Sequence, residues 1–159
     1  METKEKEKAL SSIDKMENLS KIDIFSHLSP PELLLLSEAS EEISFDADSE
    51  IYREGDASEG IYCLIRGTVG FSRSGEFLGT MGANKSFGTH GVLANKSRIS
   101  TAVATEACIC LLIPGDTFWE ILEDYTTVCH GIIEVLAQQI ETLADRLVVL
   151  QRESPVMNP

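Results

Sequence analysis

Between residues 41 and 113 the sequence alternates short, strand-like stretches with tight-turn signals. The turn signals are Glu54-Gly55-Asp56, Arg66-Gly67 and Ser74-Gly75. The strand-like stretches are residues 41–45, 50–53, 60–66, 68–73, 77–81, 99–105 and 107–113. Many short strands at regular spacing are typical of a sandwich, roll or barrel. The sequence therefore predicts a mainly β domain, and residues 85–97 within it do not fit a strand.

Helical patterns flank this β region on both sides. Ser29 begins a capping box that Glu32 completes, with proline at the first helical position, and this predicts a helix to about Ala39. On the far side, Asp116 is the predicted N-cap of a short helix. The predicted organisation is a polar helical lead-in at 1–21, a β domain with entry and exit helices at 22–126, a long helix at 127–152 and a disordered tail at 153–159.

The predicted long helix carries a narrow apolar seam with heptad spacing. Its members are Ile133, Leu136, Ile140, Leu143, Leu147 and Leu150. Such a seam can pack on the helix's own domain, but a helix that does so usually shows a wider apolar face. A strict alternation of three and four residues is typical of a helix that pairs with another helix. We therefore expect a homodimer formed through this seam.

The charge of the chain excludes several classes of partner. With 26 acidic and 13 basic residues the net charge is −13, which argues against a nucleic-acid-binding surface. No apolar run approaches the roughly 20 residues of a membrane helix, and the Lys- and Glu-rich start is not a signal peptide. We expect a cytoplasmic domain with no nucleic-acid or membrane partner.

One stretch departs from this acidic character and is suited to binding an anion. Residues 77–105 contain no Asp or Glu but do contain Lys85, Lys96 and Arg98. Gly88 and Gly91 would allow close approach of the main chain to a phosphate, and Arg98 would supply a two-point contact. On these features alone, the interpretation as a glycine-containing loop beside a structural arginine stays open, because such loops are common.

Three motif blocks then occur in a fixed order within residues 24–147. They are Phe25-Ser-His-Leu-Ser with Glu32-Leu33, Glu54-Gly55-Asp56 through Ile61-Tyr62 to Gly67-Thr-Val69, and Phe87-Gly88 with Arg98. In this order and spacing the chain resembles the cyclic-nucleotide-binding domains of catabolite-activator-type regulators and of the regulatory subunits of cyclic-AMP-dependent kinase. The resemblance implies an antiparallel, jelly-roll-like β-roll (a double-stranded β-helix) with an N-terminal helix and a long C-terminal helix.

The resemblance also implies a ligand site in residues 87–101, here called the cassette. The implied ligand-binding residues are Phe87, Gly88, Thr89, Gly91, Val92, Arg98 and Ile99. Arg98 would clamp the cyclic phosphate. Thr89 stands where the family has the glutamate that binds the ribose 2′-hydroxyl, a loss of about 1.5–3 kcal/mol. Ile99 stands where a hydroxyl residue often marks a preference for cyclic GMP, so cyclic AMP is the expected ligand.

No catalytic role is expected, because the sequence has no recognisable nucleophile–base pair, P-loop or metal constellation. No metal or bound cofactor is predicted, since the four cysteines and three histidines lack the spacing of a ligand set. We expect a regulatory domain that binds a cyclic nucleotide or a related anion and signals through its long helix. The alternative is a ligand-free domain that acts in dimerisation or docking and keeps Arg98 for internal pairing.

Overall fold

The computed structural model describes residues 8–154 and contains eight strands in two antiparallel sheets. The strands are β1 Glu41–Phe45, β2 Glu50–Tyr52, β3 Gly60–Arg66, β4 Val69–Arg73, β5 Glu76–Met81, β6 Lys85–Phe87, β7 Thr101–Ala104 and β8 Cys108–Pro114. One sheet has the order β1-β8-β3-β6 and the other β2-β7-β4-β5. The predicted β-roll is confirmed.

Five α-helices accompany the sheets in the described part of the chain. They are α1 Ser12–Ser20, α2 Pro30–Ala39, α3 Thr89–Leu93, α4 Gly115–Asp124 and α5 Thr126–Glu153, with a short 3-10 helix at Asp23–Phe25. The predicted capping box at Ser29 and Glu32 is present at the start of α2. Among residues 8–154, no helix combines the length and the hydropathy that crossing a bilayer requires. The predicted lead-in and tail lie in part outside the described residues, at 1–7 and 155–159.

Strand β3 explains how two cores form around one sheet. Successive side chains of a strand point to opposite faces, and Ile61 and Cys63 lie in a cluster with the helices. Tyr62 and Leu64 lie in a second cluster between the two sheets. Because both faces of β3 are buried, its sequence is a continuous apolar run and not an alternating one. The second cluster forms the inner wall of the site described below.

Two local predictions were wrong. Residues 85–97 were expected to contain no strand, yet Lys85–Phe87 forms β6, which pairs with β3. Three residues are too few to show an alternating pattern, and the pairing comes from the tertiary position of β3. The helix α4 begins at Gly115 and not after a cap at Asp116, because β8 runs directly into it and the Gly115 N–H donates to the Glu59 carbonyl at 2.8 Å.

Candidate functional site

Arg98 lies in the loop between α3 and β7, and its main chain is fixed by a neighbouring turn. Its N–H donates to the Asp56 carbonyl at 2.8 Å, and its carbonyl accepts from the Gly55 N–H at 2.8 Å. The residue is only 4% exposed. A buried cation needs hydrogen-bond partners, so the surroundings of its guanidinium determine what this site can do.

Two main-chain carbonyls hold the guanidinium of Arg98. Nη1 donates to the Gly88 carbonyl at 2.7 Å and Nη2 donates to the Gly60 carbonyl at 2.8 Å. Within the described residues Nε has no hydrogen-bond partner and is shielded from solvent. A guanidinium has five N–H donors. The group is therefore held in place while some of its donors, including the one on Nε, stay unused.

Aromatic rings surround the same guanidinium. Its central carbon lies 4.3 Å from the ring centroid of Tyr52 and 5.7 Å from that of Tyr62. Phe87 stacks on Tyr62 with centroids 5.1 Å apart and planes 12° apart. Burial raises the pKa of Tyr52 to about 12, so this phenol is neutral near pH 7. The rings stabilise the cation by cation–π attraction without adding a negative charge that would oppose an anion.

Gly88 occupies a position that only glycine fits. Its φ is +72°, in the left-handed region, and a Cβ built there would lie 2.3 Å from Nη1 of Arg98. Gly91 is similarly confined, since its Cβ would lie 2.0 Å from the Ser58 hydroxyl oxygen. Gly88 therefore lets the cassette main chain approach the arginine, and Gly91 lets it pack closely on Ser58.

A cavity of about 180 Å³ opens beside Arg98 and is called the cassette cavity here. Five of the predicted ligand-binding residues line it: Phe87, Gly88, Gly91, Arg98 and Ile99. Among its lining residues in the described chain there is no Asp or Glu. A second cavity of about 350 Å³ touches Arg98 and is lined by Asp56 and Glu59. The arginine therefore separates an acid-free cavity from an acidic one.

The other two predicted ligand-binding residues lie outside the cassette cavity. Thr89 lines a neighbouring groove of about 1120 Å³ between the cassette and α5, called the helix groove here. Its hydroxyl oxygen is shielded and has no hydrogen-bond partner among the described residues. Val92 belongs to the core cluster under the helices, and its carbonyl accepts from the indole N–H of Trp119 in α4 at 3.2 Å. The structure thus divides the predicted set between a cavity, a groove and a core.

A family model described as the cyclic nucleotide-binding domain matches residues 42–125, which is more than half of the chain. The chain belongs to the cyclic nucleotide-binding domain family. Residues 42–125 include Arg98, Gly88 and the rings around them, so the matched segment contains the whole cassette cavity.

Individual relatives of this cyclic nucleotide-binding domain agree with that assignment. It is 25% identical over 122 residues to a cAMP-dependent protein kinase regulatory subunit of Yarrowia lipolytica, covering 77% of the chain but only 32% of that protein. The chain thus spans about a third of the length of this curated relative. The structure of PfPKA-R with bound cAMP aligns with a TM-score of 0.71 at 21% identity, over 88% of this chain and 47% of that one.

A bacterial structure has a similar fold. The catabolite activator protein of Thermus thermophilus aligns with a TM-score of 0.69 at 22% identity, over 81% of this chain and 63% of that one. Both structural matches are below 25% identity, so each is evidence for the fold alone.

Three residues of the site in this cyclic nucleotide-binding domain were missed by sequence reasoning. Tyr52 and Tyr62 contribute the rings and Gly60 contributes a carbonyl. From the sequence, Tyr62 was identified only as part of a fold motif. Gly60 contributes its main-chain carbonyl, which every residue type has, so its identity gives no signal. No group of His, Cys, Asp and Glu among residues 8–154 has the arrangement of a metal site.

The long helix of the cyclic nucleotide-binding domain has two distinct apolar faces. Val128, Ile132 and Val135 are buried against the domain. Five of the six seam residues are instead exposed, each by 56–68%: Ile133, Ile140, Leu143, Leu147 and Leu150. The sixth, Leu136, is partly buried against the core. The seam is therefore mostly exposed, and three of its members, Leu136, Ile140 and Leu143, face the groove between α5 and the cassette.

Proposed function

We propose that this domain binds a cyclic nucleotide through Arg98 and the cassette, and that binding alters the position of α4 and α5. The observation that carries the proposal is the state of Arg98. It is buried, its Nε–H is unbonded within the described chain, and it adjoins a cavity with no acidic lining residue. An edge of a guanidinium with free donors is the group that binds a phosphate at two points.

Cyclic AMP is the ligand that we propose for this site. The Yarrowia lipolytica relative is by name a cAMP-dependent kinase subunit. Ile99 lines the cassette cavity and offers no hydroxyl to a guanine base. Thr89 is shorter than glutamate and neutral, so its hydrogen bond to the ribose would be weaker. We expect the affinity for cyclic AMP to be about tenfold to a hundredfold lower than in relatives that have the glutamate.

The output that we propose passes through the helices. The hydrogen bond from Trp119 to Val92 joins α4 to the cassette helix α3. Leu93 and Val135 line opposite walls of the helix groove, so a ligand that moves α3 would change the support of α5. Such a shift needs a ligand with different affinities for the two arrangements. A non-enzymatic role and a cytoplasmic location remain predictions.

The exposed seam supports the proposal that α5 pairs with α5 of a second copy. An apolar stripe of this length is costly to leave in water. Leu147→Glu should convert a dimer to a monomer in sedimentation equilibrium, while Leu34→Glu, at an exposed leucine of α2, should leave the mass unchanged. A monomeric wild type, or a dimer that survives Leu147→Glu, would refute the proposal.

Isothermal titration calorimetry with cyclic AMP and cyclic GMP tests the binding proposal. Arg98→Ala should weaken cyclic AMP binding about a hundredfold, because two charge-assisted hydrogen bonds are lost. Arg53→Ala, which removes an arginine whose side chain is 73% exposed, is the matched control and should bind as the wild type does. Thermal unfolding of both variants identifies any loss that is due to misfolding. If the folded wild type binds neither nucleotide at millimolar concentration, the proposal is wrong.

The alternative is a domain without ligand that serves in dimerisation or docking. One observation favours it: Arg98 already has two carbonyl partners and two rings, so it has a structural role without any anion. In this case Arg98→Ala would lower the unfolding temperature, and neither protein would give heat with either nucleotide.

A further inference from the structure

The helix groove adjoins the cassette cavity. Four residues line both: Met81, Phe87, Gly88 and His90. A ligand held at Arg98 therefore lies next to the groove. At about 1120 Å³ the groove exceeds the roughly 300–1,000 Å³ of pockets that hold a drug-sized molecule.

Two cations line this groove without partners. Lys85 lies on β6 and Arg146 lies on α5, at opposite walls. Neither side chain forms a hydrogen bond or an ion pair with any residue in the range 8–154. The imidazole of His90 also lines the groove and has no such contact there. Asp145 directly precedes Arg146 and lines a separate cavity with it, but the two form no ion pair.

The groove contains one acidic residue, Asp23, and its carboxylate is already engaged. Its Oδ1 accepts from the Ile24 N–H at 2.8 Å, from the Ser86 N–H at 3.0 Å and from the Ser86 hydroxyl at 2.9 Å. These bonds hold the 3-10 helix to β6. Asp23 is thus part of the structure of the wall and not an ion-pair partner of Lys85 or Arg146.

The charges of the cavity and groove do not match those of a cyclic mononucleotide. Arg98, Lys85 and Arg146 against Asp23 leave two positive charges, whereas a cyclic mononucleotide has one phosphodiester and carries a single negative charge. The groove also presents apolar side chains such as Leu93 and Val135, which suit the faces of a base. One cation in the cavity and two in the groove fit a ligand with two anionic groups.

Building on the proposed function, we propose that the ligand is a nucleotide with a second phosphate group, which Lys85 and Arg146 bind in the helix groove while Arg98 binds the first. A cyclic dinucleotide has this chemistry, with two phosphodiesters on opposite sides of one ring. A linear nucleoside diphosphate has two adjacent phosphates and is the other source. Because Arg98 lines the cavity and not the groove, whereas Lys85 and Arg146 line the groove and not the cavity, two separated phosphates fit better than two adjacent ones, and this favours the cyclic dinucleotide.

The test is calorimetry on the full chain with four probes: cyclic AMP, adenosine diphosphate, cyclic di-AMP and cyclic di-GMP. The test variant is Lys85→Gln with Arg146→Gln. The matched control is Lys21→Gln with Arg152→Gln, which removes one lysine and one arginine that are exposed and lie outside both the groove and the cassette. The groove variant should bind a cyclic dinucleotide roughly tenfold to a hundredfold more weakly than the wild type. Its affinity for cyclic AMP, and both affinities of the control, should stay within about threefold.

Each result separates this inference from the proposed function. Binding of cyclic AMP with no tighter binding of any two-phosphate probe overturns the inference and leaves the proposed function standing. A groove variant that loses no more affinity than the control also overturns it. If adenosine diphosphate binds more tightly than the dinucleotides and this binding depends on the groove, the second-phosphate site is supported and the cyclic dinucleotide is refuted as its ligand. If no nucleotide binds the folded wild type, both proposals are wrong.

Discussion

The cassette cavity and the helix groove adjoin each other but differ in how firmly their cationic side chains are held. In the cavity, Arg98 is 4% exposed and is held by two carbonyls and two rings before any ligand arrives. In the groove, Lys85 and Arg146 are exposed and have no partner within the described residues. A preorganised group loses little entropy on binding. The difference teaches that the cavity can supply affinity, whereas the groove can adapt and so can select among ligands.

The largest expected effect concerns the preorganised cassette cavity and comes from the variant Gly88→Ala. The new methyl group would occupy a left-handed position and press on Nη1 of a buried arginine. We expect a destabilisation of about 2–3 kcal/mol from backbone strain and a displaced hydrogen bond. Chemical denaturation measures the stability, and calorimetry should detect no cyclic AMP binding.

Gly75→Ala is the matched control for that variant. Gly75 has a φ of +79°, similar to Gly88, but a Cβ there would meet no atom within 4 Å. Gly75→Ala should lower the free energy of unfolding by only about 1–2 kcal/mol, from backbone strain alone, and should leave the affinity for cyclic AMP unchanged. Equal losses of affinity in both variants would show that the contact with Arg98 is unimportant.

A smaller effect of opposite sign is expected at the boundary between the two regions, from Thr89→Glu. A carboxylate at this position would accept a hydrogen bond from the ribose 2′-hydroxyl, and we expect cyclic AMP to bind about tenfold more tightly. The 2′-deoxy analogue of cyclic AMP is the control and should gain nothing. A gain that is equal for both nucleotides would mean that the added group contacts something other than the ribose.

The smallest effect is expected from the rings, with Tyr52→Leu. Loss of the cation–π contact at 4.3 Å should weaken cyclic AMP binding by roughly threefold to tenfold, because Arg98 becomes less firmly positioned. Tyr52→Phe keeps the ring and should bind as the wild type does. If both variants bind equally weakly, the phenol hydroxyl and not the ring is responsible.

The two regions also differ in how far the sequence predicts them. The roll follows from strand length and turn residues, which are local properties of the chain, and Gly88 and Arg98 are recognisable from a motif. Tyr52 and the Gly60 carbonyl reach Arg98 from β2 and β3, which lie in different sheets and come close only when the two sheets pack together. Likewise, Lys85 and Arg146 are 61 positions apart in the sequence, and only the path of α5 places them on one groove.

Trp119 is the only tryptophan of the chain, and its indole N–H is bonded to the cassette helix. Any ligand that moves Val92 would change the polarity around this single fluorophore. The emission of the unlabelled protein should therefore report occupancy directly. Large sets of metabolites could then be screened by intrinsic fluorescence, with no dye or radioactive tracer.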